Sequence, residues 1–231
     1  MSIAPDRILY EDQHLLIVNK LAGELVVAGG ERRKGPAFAE ATAGKNLPLF
    51  DFLRKNYPGL RVVHRIDFGT SGIVVFARTA AAMEKIRETK FAGWQKCYSA
   101  LVAGRLERKI GVIRAPLRAR THQGLVEAVT RYSVIEAFHD VSFVEACIET
   151  GRKHQIRQHF AAIHHPLILD PLYGDPKRDS AFRRQLKYRR FFLHAASLIF
   201  PHPVTNETIT IKAPLPKVFL EAVQALRGER A

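Results

Sequence analysis

The segment from His64 to Gly72, with the sequence His-Arg-Ile-Asp-Phe-Gly-Thr-Ser-Gly, places one carboxylate beside two possible cations and two hydroxyls. Its two glycines allow a tight turn or a close approach of the backbone to a ligand. The apolar run 73–77 that follows is typical of a buried strand, so Asp67 is expected on a loop held by the core, where proteins often present chemistry. The same residues also suit an ordinary turn in which Asp67 bonds its own backbone and Arg65 is a surface partner.

A second group of charges lies in residues 150–159, Thr-Gly-Arg-Lys-His-Gln-Ile-Arg-Gln-His. The apolar spacing predicts a helix over 153–164. Cations are unfavourable at the positive end of a helix dipole, and like charges four residues apart repel each other. Because Arg152, Lys153 and Arg157 crowd the first turns, we expect an anion nearby: a buried carboxylate such as Asp67, an RNA phosphate, or both. The alternative is that these cations extend into solvent.

Four histidines follow in the same region, at positions 154, 159, 164 and 165. A zinc site is an alternative role for them, but the spacing between His154 and His159 is five rather than the four that places two imidazoles on one helical face. No cysteine or acidic cluster accompanies them, so no metal is expected.

The strands and helices that position these groups are predicted from the spacing of apolar residues and from the turn and capping residues between them. Strands are predicted at 14–19, 72–78, 96–102, 193–200 and 207–212, with two paired strands across 126–149. Helices are predicted from the N-cap Thr79 to about 91, over 153–164 and over 216–227. Strands outnumber helices and several are linked as hairpins, which indicates an α+β fold with a large mixed or antiparallel sheet. Residues 28–48 are predicted to form a mobile loop.

Composition narrows the class of protein. The 231 residues, 47% of them hydrophobic, suit one folded domain over 1–231, and the net charge is +14. The excess of cations is concentrated in 105–120 and 176–190, which favours a nucleic-acid partner over a membrane surface. Cys97 and Cys147 are isolated in sequence and are expected to be free thiols of a reducing compartment, so a cytoplasmic protein is predicted.

Taken together, the motifs resemble the RluA-type family of RNA pseudouridine synthases. The segment 64–72 is similar to the family's His-Arg-Leu-Asp-x-x-Thr-Ser-Gly pattern, and 96–104 to its tyrosine-bearing strand. Residues 150–159 are similar to its Thr-Gly-Arg-x-His-Gln-Ile-Arg-x-His signature. Later matches in the same order are 165–167, 170–175, 193–195, 202–205 and 213–216.

The resemblance implies a pseudouridine-synthase fold, α+β, whose large and mainly antiparallel sheet is flanked by helices and loops and crossed by an active-site cleft. It also implies that Asp67 is the catalytic aspartate, Tyr98 the active-site tyrosine and Arg157 the partner of Asp67. Arg65 would help to displace the target base. The remaining candidates for RNA binding are His64, Arg118, Arg120, Arg152, Lys153, Arg183, Arg184, Lys187, Arg189 and Arg190.

Two positions depart from the family pattern: the turn 19–23 lacks its usual proline, and Leu169 stands where a glycine is common. These departures concern local loop shape. Some members carry an S4 RNA-binding domain before the catalytic domain, and this chain is expected to lack it.

The implied reaction turns uridine into pseudouridine in ribosomal or transfer RNA. It involves no redox change, so no cofactor is expected, and a cation beside Asp67 would favour its ionised form. The sequence leaves open whether Asp67 attacks the sugar or the base, or acts at the 2′ position. RNA is the expected partner, and the protein is expected to be a monomer. There are two alternatives. One is a non-catalytic RNA-binding or ribosome-assembly protein, and the other is a hydrolase that uses Asp67 with a histidine.

Overall fold

A computed structural model describes residues 3–28, 47–119, 124–186 and 188–228. Most of the predicted loop 28–48, together with Arg120 and Lys187, lies outside these residues. The strands are β1 (Ile8–Glu11), β2 (Leu15–Lys20), β3 (Arg61–Val62), β4 (Ser71–Ala77), β5 (Gln95–Ala103), β6 (Ile110–Arg114), β7 (Leu117–Arg118), β8 (Leu125–Val126), β9 (Val129–Ala137), β10 (Val141–Ile148), β11 (Leu193–Pro201) and β12 (Thr208–Lys212). The helices are α1 (Leu49–Leu53), α2 (Ala80–Glu88), α3 (Gln155–Ala162), α4 (Pro176–Leu186) and α5 (Lys217–Gly228).

The chain divides into two compact units. The first comprises residues 1–94 and 198–213, and the second comprises 95–197 and 214–231. The predicted single catalytic domain over 1–231, and the predicted cleft across the sheet, stay predictions.

In the first unit, β2 pairs antiparallel with both β1 and β4, and β3 also pairs antiparallel with β4. Every residue of β4 is buried, which explains why its run 73–77 is continuously apolar instead of alternating. Its core includes Leu16, Val74 and Phe76 packed with Leu49 and Leu53 of α1. This core anchors the loop that precedes β4 and carries Asp67.

In the second unit, β10 pairs antiparallel with β5 and β9, and β9 pairs antiparallel with β6. One hydrophobic cluster packs Phe160 of α3 against side chains of β5, β9 and β10. A second cluster packs Phe219 and Val223 of α5 with Leu101 of β5 and Phe192. The central strand β5 therefore has core on both faces.

Most predicted elements are confirmed. The hairpin across 126–149 is β9 and β10, and the Thr79 side chain accepts a hydrogen bond of 3.2 Å from the amide of Ala82, as an N-cap does. The predicted α+β class is likewise confirmed. Helix α4 was missed because its residues are mostly polar or charged and give little apolar periodicity, and β6 was missed because it lies within a basic segment.

The prediction that Cys97 and Cys147 are free thiols is wrong, because the two sulfurs form a disulfide. The cysteines are 50 residues apart in sequence, but they are directly opposite each other in the register of β5 and β10. The spacing along the chain gave no sign of this pairing, since only the strand register brings the two Cα atoms to 4.1 Å.

Within the described residues, no helix combines the length and the apolar character needed to cross a membrane.

Candidate active site

Asp67 lies in the loop between β3 and β4, and its side chain is half-buried. Its carbonyl oxygen accepts a hydrogen bond of 3.1 Å from the amide of Thr70, which closes a turn. The backbone is thus the turn that the glycines suggested. Because the buried strand β4 begins at Ser71, the carboxylate is fixed to the core by only a few residues.

A buried lysine fixes the same loop from the other side. Lys20, at the end of β2, is 0% exposed, and its Nζ donates to the carbonyls of Leu21, Glu24 and Phe68 at 2.9, 2.8 and 3.3 Å. The amide of Gly23 donates to the same Phe68 carbonyl at 2.7 Å. Phe68 directly follows Asp67, so the turn after β2 holds the loop that carries Asp67 even though this turn lacks the family's proline.

His64 and Arg65, both predicted to bind RNA, lie in different surroundings. The amide of Val75 donates to Nε2 of His64 at 3.2 Å, and the imidazole packs edge-on against Trp94. Arg65 is exposed. His64 therefore ties the loop to β4, whereas Arg65 is exposed to solvent.

Thr70 is 1% exposed, and its side-chain hydroxyl has no hydrogen-bond partner among the described residues. A buried polar group without a partner costs about 1–3 kcal/mol. We expect the isosteric substitution Thr70→Val to raise the free energy of unfolding by about 1 kcal/mol in urea titrations. Thr70→Ser, which keeps the hydroxyl, should give no gain. A destabilised Thr70→Val variant would show that the hydroxyl has a partner in solution.

Tyr98 lies on β5 in the second unit, opposite Ala146 of β10. It is half-buried and packs against the cluster that contains Ala100, Val102 and Phe160. An aromatic ring that packs against a buried cluster has few alternative positions. The strand prediction for 96–102 is confirmed, and its tyrosine is rigidly held.

Lys96 precedes Tyr98 by two residues, so both side chains leave β5 on the same face. Burial lowers the pKa of Lys96 from 10.5 to about 8. Between these two values the unfolded chain binds more protons at this position than the folded chain does. Lys96 therefore makes the free energy of unfolding rise with pH across that window. Below the window Lys96 is protonated in both states, so its contribution no longer changes with pH.

We expect the ε-methylene NMR resonance of Lys96 to titrate with a midpoint near pH 8. Urea titrations from pH 7.5 to 10.5 should show that the wild type gains stability relative to Lys96→Met as the pH rises. A midpoint near the ordinary lysine value would contradict the burial effect.

Arg157 lies in the first turn of α3 and is 3% exposed. Its Nε and Nη2 donate to the two carboxylate oxygens of Asp170 at 2.6 and 2.8 Å, in the paired geometry that arginine and carboxylate favour. The guanidinium carbon also lies 4.3 Å from the centre of the Phe191 ring and 5.2 Å from that of Tyr173. A buried carboxylate is thus found beside Arg157, as the sequence predicted, and it belongs to Asp170.

Asp170 was not among the predicted site residues. Its Oδ1 also accepts from the amides of Leu172 and Tyr173 at 2.9 and 3.2 Å, so it orders the loop after α3 as well as Arg157. The signal that could have identified it is the Asp-Pro-Leu-Tyr-Gly match at 170–174. The pairing of Arg157 with Asp67 stays a prediction.

The crowding of cations inside α3 is not observed, because the helix begins at Gln155, after Arg152 and Lys153. His154 has a left-handed backbone with φ 53°, which turns the chain into the helix. The side chain of Gln155 accepts from the amide of Arg152 at 3.1 Å and donates to the carbonyl of Val129 at 2.9 Å. The predicted start at 153 was therefore wrong, and the like-charge pair within the helix does not form.

One of the four histidines in residues 154–165 has a clear structural role. His159 is 0% exposed, with its ring nitrogens 2.9 Å from Oγ1 of Thr130 and 3.0 Å from the carbonyl of Ala115. Burial lowers the pKa of His159. One nitrogen thus ties α3 to β9, and the other ties it to Ala115, the residue that follows β6.

Leu169, the second departure from the family pattern, has φ 64° and is 0% exposed. A left-handed backbone costs a residue with a Cβ roughly 1–2 kcal/mol, which explains why glycine is common there. Burying a leucine side chain contributes about 1.5–3 kcal/mol, enough to offset that cost. The amide of Leu169 donates to the buried carboxylate of Asp179 at 2.9 Å, so the loop keeps its anchor in α4.

Most of the described cations predicted to bind RNA lie at the surface. Arg118 and Arg152 are exposed, and Lys153 is half-buried. In the segment 176–190, α4 places Phe182 toward the core and leaves Arg183 and Arg184 exposed, with Arg189 exposed and Arg190 half-buried after it.

The chain is similar to known proteins over most of its length. The family model for RNA pseudouridylate synthases matches residues 14–162. The chain is 37% identical over 233 residues to "Ribosomal large subunit pseudouridine synthase C" of Vibrio vulnificus (strain CMCP6), which covers 97% of this chain and 70% of the relative. It is 34% identical over 244 residues to the protein of the same name from Escherichia coli (strain K12), which covers 97% and 71%.

Two human structures have the same fold. "Human RNA Pseudouridylate Synthase Domain Containing 1" is 26% identical with a TM-score of 0.68, covering 98% of each chain. "Human RNA Pseudouridylate Synthase Domain Containing 4" is 23% identical with a TM-score of 0.71, covering 95% of this chain and 92% of the other, and it supports the fold alone. The predicted fold and the predicted resemblance to RluA-type enzymes are confirmed. The chain belongs to the RNA pseudouridylate synthase family and is an enzyme that isomerises uridine to pseudouridine in RNA.

Proposed function

We propose that the enzyme modifies uridine in the ribosomal RNA of the large subunit. The observation that carries this proposal is the name shared by the bacterial relatives described above, which align with nearly the whole chain at 34–37% identity. Transfer RNA is the other substrate class that the sequence left open, and the relatives' names favour ribosomal RNA over it.

In the proposed mechanism, Asp67 supplies the ionised carboxylate that starts the reaction. The bond between C1′ of the ribose and N1 of uracil breaks, the base rotates, C5 bonds to C1′, the proton on C5 leaves, and N1 takes up a proton, so that the product is an isomer of uridine. A carboxylate is suited to this work only if it is held in place and charged. The contacts of Lys20 and Gly23 with the carbonyl of Phe68 support the first condition.

Arg157 supports the second condition as the proposed counter-ion of Asp67. Asp170 binds two of its nitrogens and Phe191 packs on its plane, so the orientation of the guanidinium is fixed before substrate arrives. A cation that is already fixed in place stabilises the negative charge of the carboxylate better than one that must first reorient. We assign Asp170 the role of a positioning residue, since it acts through Arg157.

Tyr98 and Arg65 are the proposed contacts to the base and its stack. Tyr98 presents a rigid ring on which a detached uracil can stack, and its hydroxyl can take part in removing the C5 proton. The target must first leave its helix, which costs a few kcal/mol. Arg65, which is exposed and two residues from Asp67, would offset part of that cost by filling the gap left in the stack.

The exposed cations of α4 are proposed to contact RNA phosphates. Reversing both charges in Arg183→Glu/Arg184→Glu should weaken RNA binding and reduce the slope of log affinity against log salt by about 1.4–1.8, because each lost phosphate contact removes about 0.7–0.9. The control is Arg87→Glu/Lys212→Glu, which reverses two exposed cations outside both basic segments. Filter-binding titrations at several salt concentrations measure both slopes. Equal slopes in the two variants would contradict a role for α4.

The substrate proposal is tested by incubating the enzyme with unmodified transcripts of large-subunit ribosomal RNA, small-subunit ribosomal RNA and transfer RNA. Carbodiimide labelling with primer extension then locates each pseudouridine. We expect enzyme-dependent stops in the large-subunit RNA. Product confined to transfer RNA would overturn the proposed substrate while leaving the isomerase activity intact.

A further inference from the structure

Cys97 and Cys147 face each other at the ends of two paired strands, and a carboxylate lies beside them. Glu145 precedes Cys147 by two residues on the same face of β10, and its Oε2 is 3.9 Å from Sγ of Cys147. The two sulfurs and a Glu145 carboxylate oxygen all lie within 4.8 Å of one another. Cys97 and Cys147 are half-buried and Glu145 is exposed, so solvent reaches the cluster.

An accessible disulfide of this kind is open to reduction. Exposed disulfides exchange with external thiols more readily than buried structural ones do. A dithiol reductant would pass two electrons and two protons to the sulfurs, break the S–S bond, and close into its own disulfide. The structure around the sulfurs does not depend on that bond, because β5 and β10 are paired over eight residues, from Val141 opposite Ala103 to Ile148 opposite Lys96.

The reduced pair would be preorganised as two thiol ligands. Zinc–sulfur bonds of about 2.3 Å in a tetrahedron place two sulfurs about 3.8 Å apart. The strand register holds the Cα atoms of the two cysteines 4.1 Å apart, so the side chains need only small rotations to reach that separation. Thiolate and carboxylate ligands together suit zinc and its spectroscopic substitute cobalt.

We propose that the reduced form of Cys97 and Cys147, with Glu145, is a binding site for a thiophilic divalent cation such as Zn²⁺, with solvent as the fourth ligand. Oxidation to the disulfide removes both thiolates and releases the cation. Binding expels the two thiol protons, so affinity increases with pH. Arg131 lies opposite Cys147 on β9 and provides a neighbouring positive charge for a site with three anionic ligands.

This site does not rest on the proposed RNA substrate or on the roles of the active-site residues. Cys97 is adjacent to Tyr98 on β5, and adjacent residues of a strand point to opposite faces. The cation would therefore lie on the face of the strand that Tyr98 does not occupy. Metal binding is measured without RNA, so its failure would leave the isomerase assignment untouched.

The test titrates Co²⁺ into the full chain, reduced with dithiothreitol and desalted without oxygen, and into the oxidised protein. Thiolate-to-cobalt charge transfer in the near ultraviolet reports coordination by sulfur. We expect about one equivalent to bind to the reduced protein, none to give this band in the oxidised protein, and Zn²⁺ to displace the cobalt. This comparison needs no substitution, so it does not depend on the folding of a variant.

Variants then assign the ligands. Cys97→Ser/Cys147→Ser should abolish the band, and Glu145→Gln should weaken affinity by about tenfold or more, whereas Glu107→Gln, which changes an exposed carboxylate outside the cluster, should bind as the wild type does. The proposal is overturned by a reduced wild type without the band, or by a double serine variant that retains it. Unchanged affinity in Glu145→Gln would also overturn the three-ligand site.

Discussion

Asp67→Asn is expected to reduce the rate of pseudouridine formation by at least about a thousandfold while RNA affinity stays within a few-fold of the wild type. Asparagine has nearly the same shape as aspartate, but it cannot carry the negative charge that the reaction needs. The loop should keep its structure, because it is held by the backbone contact between Asp67 and Thr70 and by the bonds to the Phe68 carbonyl. The measurement is the single-turnover rate on large-subunit ribosomal RNA.

The matched control for this substitution is Asp140→Asn. The Asp140 side chain lies in the turn between β9 and β10 and is 72% exposed, so it loses a charge of the same sign at the surface. We expect its single-turnover rate to equal that of the wild type. If Asp67→Asn retains a rate within tenfold of this control, Asp67 is not the catalytic group.

Removing either partner of the Arg157–Asp170 pair is expected to have the largest effect on stability. Their side chains are 4% and 0% exposed, and removing one partner of such a pair leaves an uncompensated buried charge. Arg157→Met and Asp170→Asn should each lower the free energy of unfolding, Arg157→Met by about 3–5 kcal/mol. Arg157→Met should also lose most of its activity, since the proposed counter-ion of Asp67 is gone.

The double variant Arg157→Met/Asp170→Leu separates the pair from its parts. It leaves no buried charge, so we expect it to be less destabilised than the sum of the two single substitutions. Arg131→Met is the control, because its ion pair with Glu149 is 54% and 70% exposed and should contribute at most about 1 kcal/mol. Urea titrations that give Arg157→Met and Arg131→Met the same loss would contradict the account of the buried pair.

The distribution of correct and incorrect predictions has physical causes. Alternating or continuous apolar runs, as in β4 and β10, identify strands because a strand that buries one or both faces carries apolar side chains on those faces. Motif order identified Asp67, Tyr98 and Arg157 as candidates. Asp170 was missed because its pairing with Arg157 joins a loop residue to a helix residue 13 positions earlier, and no local pattern of the sequence shows that contact.

Two other features could not be derived from local sequence for a related reason. The disulfide depends on which residues of β5 and β10 are opposite each other, and a shift of the register by one residue would separate the sulfurs. The anchoring role of Lys20 depends on three carbonyl groups from two turns, and carbonyls leave no trace in side-chain patterns. In both cases the information lies in long-range backbone geometry.

The central claim is that the site around Asp67 isomerises uridine, and the release of tritium from large-subunit ribosomal RNA labelled with [5-³H]uridine measures it most directly. Forming the bond between C1′ and C5 expels the hydrogen on C5, so every pseudouridine liberates one tritium into water. We predict that wild-type enzyme in excess over RNA releases a fixed, site-limited amount of tritium, and that Asp67→Asn releases none above background. The absence of release by the wild type, or equal release by Asp67→Asn, would contradict the account.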